Sequence, residues 1–156
     1  MSEQKESAYR IERIPADEAH LEQYRRCFVK HGFDRDQANL YWLHRQNQVQ
    51  ENMIYYAWSG SEIGAIYTAL PVYFRINGQR VKALQSIDTI TDENHRGKGL
   101  FTLLANQLYA DAPTEQYALV YGFPNDQSAP GFFKKLQWVS FGEAPFLIKP
   151  LRWTYL

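Results

Sequence analysis

The sequence predicts a mixed α/β fold: a mostly antiparallel sheet that begins as a meander and ends in one strand–helix–strand crossover, flanked by helices. Three observations carry that reading. Asn77-Gly78 stands between two long runs of β-branched and aromatic residues, and this pair favours a tight hairpin because both turn positions need positive φ. Leu100, Leu103, Leu104 and Leu108 repeat at helical spacing soon after the second run. Tyr117 to Gly122 is then a short, nearly continuous apolar segment, as expected of a strand covered on both faces.

Taken in order, Tyr9 to Ile14 alternates as a first strand and Pro15 ends it. Asp17 to His31 reads as a helix with Leu21, Tyr24 and Phe28 on one face and Gly32 beyond its end. Asp34 with Gln37 three residues on has the spacing of a capping box for a second helix reaching about Gln46. Met53 to Trp58 and Ile63 to Ile76 are strands, with Ser59-Gly60-Ser61-Glu62 turning between them. The hairpin at Asn77-Gly78 leads into a strand from Arg80 to Thr91. A polar glycine loop comes next, then the leucine-striped helix from about Gly99, stopped by Pro113. Beyond Tyr117 to Gly122, Ser128 is placed to cap a brief helix ending near Leu136. Trp138 to Phe141 and Phe146 to Ile148 read as closing strands.

Length and composition bound the function. At 156 residues a single domain over 1–156 is expected, and 45% hydrophobic residues suit a packed core. Lys plus Arg and Asp plus Glu both number 17, so the totals hold no basic excess of the kind nucleic-acid binding needs. The N-terminal Met1-Ser2-Glu3-Gln4-Lys5-Glu6-Ser7 is polar, and no apolar run approaches a membrane span. Cys27 is the only cysteine, so no intrachain disulfide forms, and a cytoplasmic setting is expected. Cys27 itself reads as an inert buried thiol beside Phe28. His20, His31, His44 and His95 have no metal-ligand spacing, and no Gly-x-Ser-x-Gly elbow is present.

The chemistry concentrates in Asn94-His95-Arg96-Gly97-Lys98-Gly99. A pyrophosphate needs several converging donors with no side chains in the way. Glycines let the backbone approach, and a helix N-terminus adds free N–H groups and partial positive charge. Gly97 and Gly99 lie between a strand and a helix, with Arg96 and Lys98 adding cations. On its own, a strand–Gly-x-Gly–helix is a common arrangement with no phosphate at all. Two neighbouring motifs fail: a dinucleotide fingerprint wants glycine at Thr102, and a P-loop wants Gly-x-x-x-x-Gly-Lys-Ser/Thr.

Thr89 to Leu100, read as Thr-Ile-Thr-Asp-Glu-Asn-His-Arg-Gly-Lys-Gly-Leu, resembles motif A of the GNAT superfamily of acyl-CoA-dependent N-acyltransferases, whose loop is written Gln/Arg-x-x-Gly-x-Gly/Ala. The stretch from Asn125 to Trp138, ending Phe133-Lys134-Lys135-Leu136-Gln137-Trp138, resembles motif B, commonly Tyr-x-Lys-x-Gly-Phe after an asparagine. The order of elements matches as well, over nearly the whole chain. The resemblance implies a GNAT-like fold with acetyl-CoA or another acyl-CoA as co-substrate and no metal. It implies that Thr89, Ile90 and Thr91 offer backbone groups to the pantetheine arm. Asn94, His95, Arg96, Gly97, Lys98 and Gly99 would then hold the pyrophosphate, and Asn125 the pantetheine or the nearby loop. This chain departs from the pattern with Asn94 for Gln/Arg, Gln137 for glycine and Phe133 for the tyrosine that protonates the departing thiolate.

For catalysis, Asp88 inside an apolar strand is the candidate base, because a desolvated carboxylate gains basicity; the alternative is a carboxylate satisfied by a neighbour. Tyr121 on the strand beyond the helix is the candidate acid, and a core tyrosine otherwise. Glu93 and His95 are read as solvated. The expected activity is direct acyl transfer to the amine of a small-molecule acceptor, with no nucleic-acid or membrane partner; a homodimer is compatible with the sequence. The competing reading is an acyl-CoA-binding sensor or assembly partner without turnover, which Phe133 favours. Tyr41-Trp42, Tyr55-Tyr56 and Trp153 read as core or subunit-contact aromatics before pocket residues.

Overall fold

In a computed structural model, which describes residues 9–142, five strands make one sheet in sequence order. They are β1 (Arg10–Arg13), β2 (Met53–Ser59), β3 (Glu62–Ile76), β4 (Gln79–Thr91) and β5 (Tyr117–Gly122). The first three pairings are antiparallel, and β4 pairs with β5 in parallel. Parallel neighbours need a crossover, which α3 (Leu100–Asp111) provides. The expected meander-plus-crossover is therefore the observed one.

Helices cover both faces. Leu100, Leu104 and Leu108 of α3 pack on Met53, Tyr55, Ala65, Tyr67 and Leu84. On the opposite face, α1 (Glu18–Lys30) and α2 (Gln37–Arg45) bring Leu21, Tyr24, Phe28 and Leu40 against Ile54, Tyr56, Ile66 and Ile90. Successive residues of a strand point to opposite faces, so β2 feeds both cores and reads Met-Ile-Tyr-Tyr-Ala without a polar break. Cys27 lies in the α1 core, where burial pushes its thiol up to about 11. Among the described residues, no helix is long and apolar enough to cross a membrane.

Local chemistry sets most boundaries. Asp17 caps α1 by accepting the His20 N–H at 2.9 Å, and Gly32 comes after the helix at φ +81°. The hairpin turn has Asn77 at φ 50° and Gly78 at φ 80°, as a two-residue loop requires. Pro113 lies in a 3₁₀ turn, Ala112–Glu115, just past the end of α3.

Three local expectations need correction. The cap of α2 is Asp36, which accepts the Asn39 N–H at 3.0 Å, while Asp34 stays in the loop. Spacing to Gln37 fitted Asp34, but the carboxylate next to the first turn is the one that reaches its N–H groups. Ser128 is not a cap either. It is itself bound by Asn125, whose Oδ1 accepts the Ser128 N–H at 2.9 Å, and the next helical piece is a short π-helix, Gly131–Lys135. Trp138 to Phe141 is not a strand. Trp138 is drawn toward α3, donating its indole N–H to the Tyr109 hydroxyl at 3.0 Å and packing on Phe132 with ring centroids 4.5 Å apart. Phe146 to Ile148 lies outside the described residues.

Beyond the π-helix and its cap, Leu136, Gln137 takes the left-handed conformation, φ 56°, with the Trp138 N–H reaching back to the Phe132 carbonyl at 3.1 Å. That is the position where the motif B pattern has glycine. A side chain there carries strain that glycine lacks, partly offset by glycine's greater freedom when unfolded. Gln137→Gly is expected to stabilise the protein by about 0.5–1 kcal/mol, read as a raised midpoint in urea unfolding at unchanged slope.

Candidate functional site

The site begins with one extra residue in β4. Register runs Ala69↔Ser86 and then Tyr67↔Thr89, so Ile87 and Asp88 together face Thr68 alone. This β-bulge reverses the facing of the residues beyond it. In an unbroken strand Ser86, Asp88 and Ile90 would share a side. Here the Ser86 hydroxyl donates to Tyr67 on the α3 side at 3.0 Å, whereas Asp88 and Ile90 face α1.

The same point ends the pairing of β4 with β5, whose last partners are Ser86 and Gly122. Past them the strands part. A crevice of about 170 Å³ opens there, lined by Ser86, Ile87, Thr89, Phe123, Pro124 and Asn125. Glycine suits this junction, because a Cβ on residue 122 would sit tightly, 3.2 Å from the Ser86 carbonyl oxygen and 3.3 Å from the Trp138 ring. Asn125 borders the crevice, but its Oδ1 is engaged by the Ser128 N–H, leaving Nδ2 as the group it can offer.

From Thr91 the chain enters the glycine loop. Gly97 and Gly99 adopt φ +75° and +76°, and a Cβ built on either meets nothing within 4 Å, so the space over both is open. Gly99 is the N-cap of α3 and brings no capping side chain. The first intrahelical bond runs from the Leu103 N–H to the Gly99 carbonyl at 3.0 Å, so the N–H groups of Leu100, Phe101 and Thr102 have no carbonyl within the helix. They end at a cradle of about 230 Å³, bordered by Thr91, Arg96, Gly97, Gly99, Thr102 and Lys135. Lys135 was missed in the sequence as a site residue; the π-helix carries it across. Lys98 instead lies over the Tyr9 ring, 5.7 Å from its centroid, and Arg96 is 3.8 Å from Glu93.

Two side chains fix the loop from below. His95 is buried, not solvated as expected: its Nδ1 is 2.7 Å from the Tyr9 hydroxyl, and its ring packs against Gly64, where a Cβ would come within 3.2 Å. Asp92 is also buried. It accepts the Asn94 N–H at 3.0 Å and an ion pair from Lys30 at the end of α1, while its own N–H donates to the Gly64 carbonyl at 2.9 Å. The Lys30 ammonium, and with it the Asn94 N–H, holds the Asp92 carboxyl down to about 2.

On the opposite face, Asp88 is clasped from two sides. The Tyr24 hydroxyl donates to Oδ2 at 2.8 Å, and Arg35, from the α1–α2 loop, donates to Oδ1 at 2.8 Å. Tyr24 is fully buried, which raises its hydroxyl well above the usual tyrosine range, so it stays a proton donor. His44 packs beside it with ring centroids 5.6 Å apart, and burial lowers its imidazole to about 4, leaving it neutral. Tyr121 shares this face: its hydroxyl donates to Gln85 at 3.1 Å, and its ring packs on Phe74. Burial raises its hydroxyl as well. Phe133 is partly exposed and shares with Tyr121 an apolar groove of about 680 Å³ beyond β5. Arg35, Tyr24 and Gln85 gave no sequence signal, since their partners are 53, 64 and 36 residues away. No group of three or more His, Cys, Asp or Glu among the described residues is placed to hold a metal ion.

The model of the acetyltransferase (GNAT) domain matches residues 13–140. No relative was found among curated proteins. Solved structures share the fold at low identity. An aminoglycoside acetyltransferase from an uncultured soil metagenomic sample is 16% identical, with TM-score 0.71, over 94% of this chain and 99% of its own. A transcriptional regulator from Bacillus halodurans is 15% identical, with TM-score 0.69, over 90% of this chain and 99% of its own. An acetyltransferase from Trypanosoma brucei is 12% identical, with TM-score 0.67, over 90% and 99%.

The Asp92 anchor has a pH signature. Its folded carboxyl titrates near 2 against 3.8 for the free group, so its stabilisation is complete above about 4 and is lost as pH falls through 2. Asp92→Asn is expected to lower the thermal midpoint at pH 7 and to make the midpoint fall less steeply between pH 4 and 2, measured by circular dichroism across that range.

Proposed function

Because the chain belongs to the acetyltransferase (GNAT) domain family, we propose that it transfers an acetyl group from acetyl-CoA to the amine of a small-molecule acceptor. The observation that carries this reading is the bulge, which opens a crevice on the β5 side of β4 and turns Asp88 to the other face at the same place. The chain fits the co-substrate: the uncapped N-terminus of α3 and the open space over Gly97 and Gly99 suit a pyrophosphate, and the crevice suits a narrow arm. Acetyl-CoA supplies an acyl group activated as a thioester. In this reading Thr89, Ile90 and Thr91 offer backbone groups along the arm, and Asn94 to Gly99 with Lys135 hold the phosphates.

Asp88 receives the acceptor's ammonium at Oδ1; the ammonium first loses one proton to solvent, and Asp88 accepts the second proton as the neutral amine attacks the thioester carbon. A new C–N bond forms, the C–S bond breaks, and the departing sulfur takes a proton, for which Tyr121 is the candidate donor. Tyr24 fixes the other oxygen of Asp88, so the carboxylate is held while Oδ1 exchanges partners. The second reading, a CoA-binding protein without turnover, draws support from Phe133 and from Asp88 having both oxygens engaged.

Thermal unfolding tests the co-substrate site that both readings share, and an amine-acceptor assay separates them. At a hundred times its dissociation constant, acetyl-CoA is expected to add about 2.7 kcal/mol, a rise of roughly 5–10 °C, with no rise from NADH. Gly99→Glu should abolish the rise by placing an anion where the phosphates belong. No rise in the wild-type protein would mean that the loop is structural and the proposal wrong. Asp88→Asn is expected to keep the rise and to lower kcat by about 10²–10⁴ in an amine-acceptor assay. A rise with no turnover on any amine would favour the second reading.

A further inference from the structure

The acceptor side of the cleft contains an ion pair that any amine must disturb. Asp88 is bound unequally. Its Oδ2 is held by Tyr24, which is fully buried in the α1 core, whereas its Oδ1 is held by Arg35 through Nη2 alone. Arg35 stands on the loop between α1 and α2, its side chain 31% exposed, steadied by the Asp34 carbonyl at 3.0 Å and by the Phe28 ring, whose centroid is 4.8 Å away. Oδ1 is therefore where a cation can be exchanged.

A plain amine replacing Arg35 at Oδ1 leaves a guanidinium without its carboxylate in a half-buried place, and a polycation adds further positive charge beside it. Neighbouring carboxylates do not relieve this. Asp36 is engaged in capping α2, and the charge of Asp34 also acts on Arg25. A zwitterion has neither penalty: its ammonium takes Oδ1 and its own carboxylate takes the fork of Arg35, which suits planar two-oxygen recognition. Two ion pairs replace one with no change in net charge. Along the same face, Phe74 and Tyr121 with ring centroids 4.8 Å apart, and Phe123 beyond them, form an aromatic wall.

We propose that Arg35 is the acceptor's carboxylate clamp and that the acceptor is a free α-amino acid with an apolar side chain. This rests on the acetyltransferase reading for its meaning, but its test does not need turnover. Titration calorimetry without acetyl-CoA would compare L-phenylalanine and L-leucine with their amides and with an aminoglycoside, on the wild-type protein, Arg35→Gln and Arg35→Lys. At least one amino acid is expected to bind about tenfold tighter than its amide, and the aminoglycoside more weakly still. Arg35→Gln should bring the acid-to-amide ratio to near one, and Arg35→Lys should restore part of it, while both keep the midpoint rise with acetyl-CoA. The proposal is overturned if an amide or the aminoglycoside binds as tightly as the amino acids, if Arg35→Gln leaves the ratio intact, or if no probe binds. Failure of the acetyltransferase reading would show separately, as absence of the acetyl-CoA rise in the wild-type protein.

Discussion

The extra residue in β4 is the constraint that sets the geometry of the cleft. A strand has a period of two, so adding one residue between Ser86 and Thr89 changes which side chains look toward α1. It also bends the strand, and β4 leaves β5 at that level. Face reversal and strand separation thus fall at the same level of the sheet. Without it, Asp88 would lie on the α3 side beside Ser86, away from Tyr24 and Arg35.

The glycine loop depends on a second set of contacts, made by residues that need not touch a ligand. A loop with two positive-φ glycines has little reason to hold one shape by itself. Asp92 ties its start to α1 through Lys30 and to β3 through the Gly64 carbonyl, and His95 ties its middle to Tyr9. Gly64 serves both, since its missing side chain is what lets His95 and Tyr9 approach the sheet. Preorganised donors lose less on binding than donors that must be ordered first, so in the proposed co-substrate site these anchors would lower the cost of binding although they lie beneath the loop.

How far the sequence reveals this depends on whether the cause is local. Asn77-Gly78, Asp17 and the leucine stripe act within a few residues, and the hairpin, the start of α1 and α3 stand where they were expected. The choice between Asp34 and Asp36, and between Ser128 and Asn125, was local too, but spacing alone does not say which side chain reaches the free N–H groups. The bulge was not read, because Arg80 to Thr91 reads as one strand and nothing local fixes where an extra residue is absorbed. His95 looked like a loop histidine until a partner 86 residues away took it inward. Asp88 was legible as a carboxylate in an apolar strand, but Arg35 was not legible as its partner.

In the proposed transfer to an amine, that partner matters because of where the chemical difficulty lies. An alkyl amine with a pKa near 10.4 needs about 4–5 kcal/mol to lose its proton at pH 7, whereas a cysteine-like thiol is only about 2 kcal/mol from its thiolate. Losing the motif tyrosine at Phe133 therefore touches the smaller barrier, and groups near the attacking nitrogen bear on the larger one. A lone carboxylate in a cleft would hold the ammonium and oppose its deprotonation. With the Arg35 guanidinium retained a few ångströms away, positive charge on the nitrogen is less favourable than it would be beside Asp88 alone, because like charges in a partly buried site repel. In the proposed complex the guanidinium that pairs with Asp88 thus offsets part of the pull of that carboxylate on the ammonium.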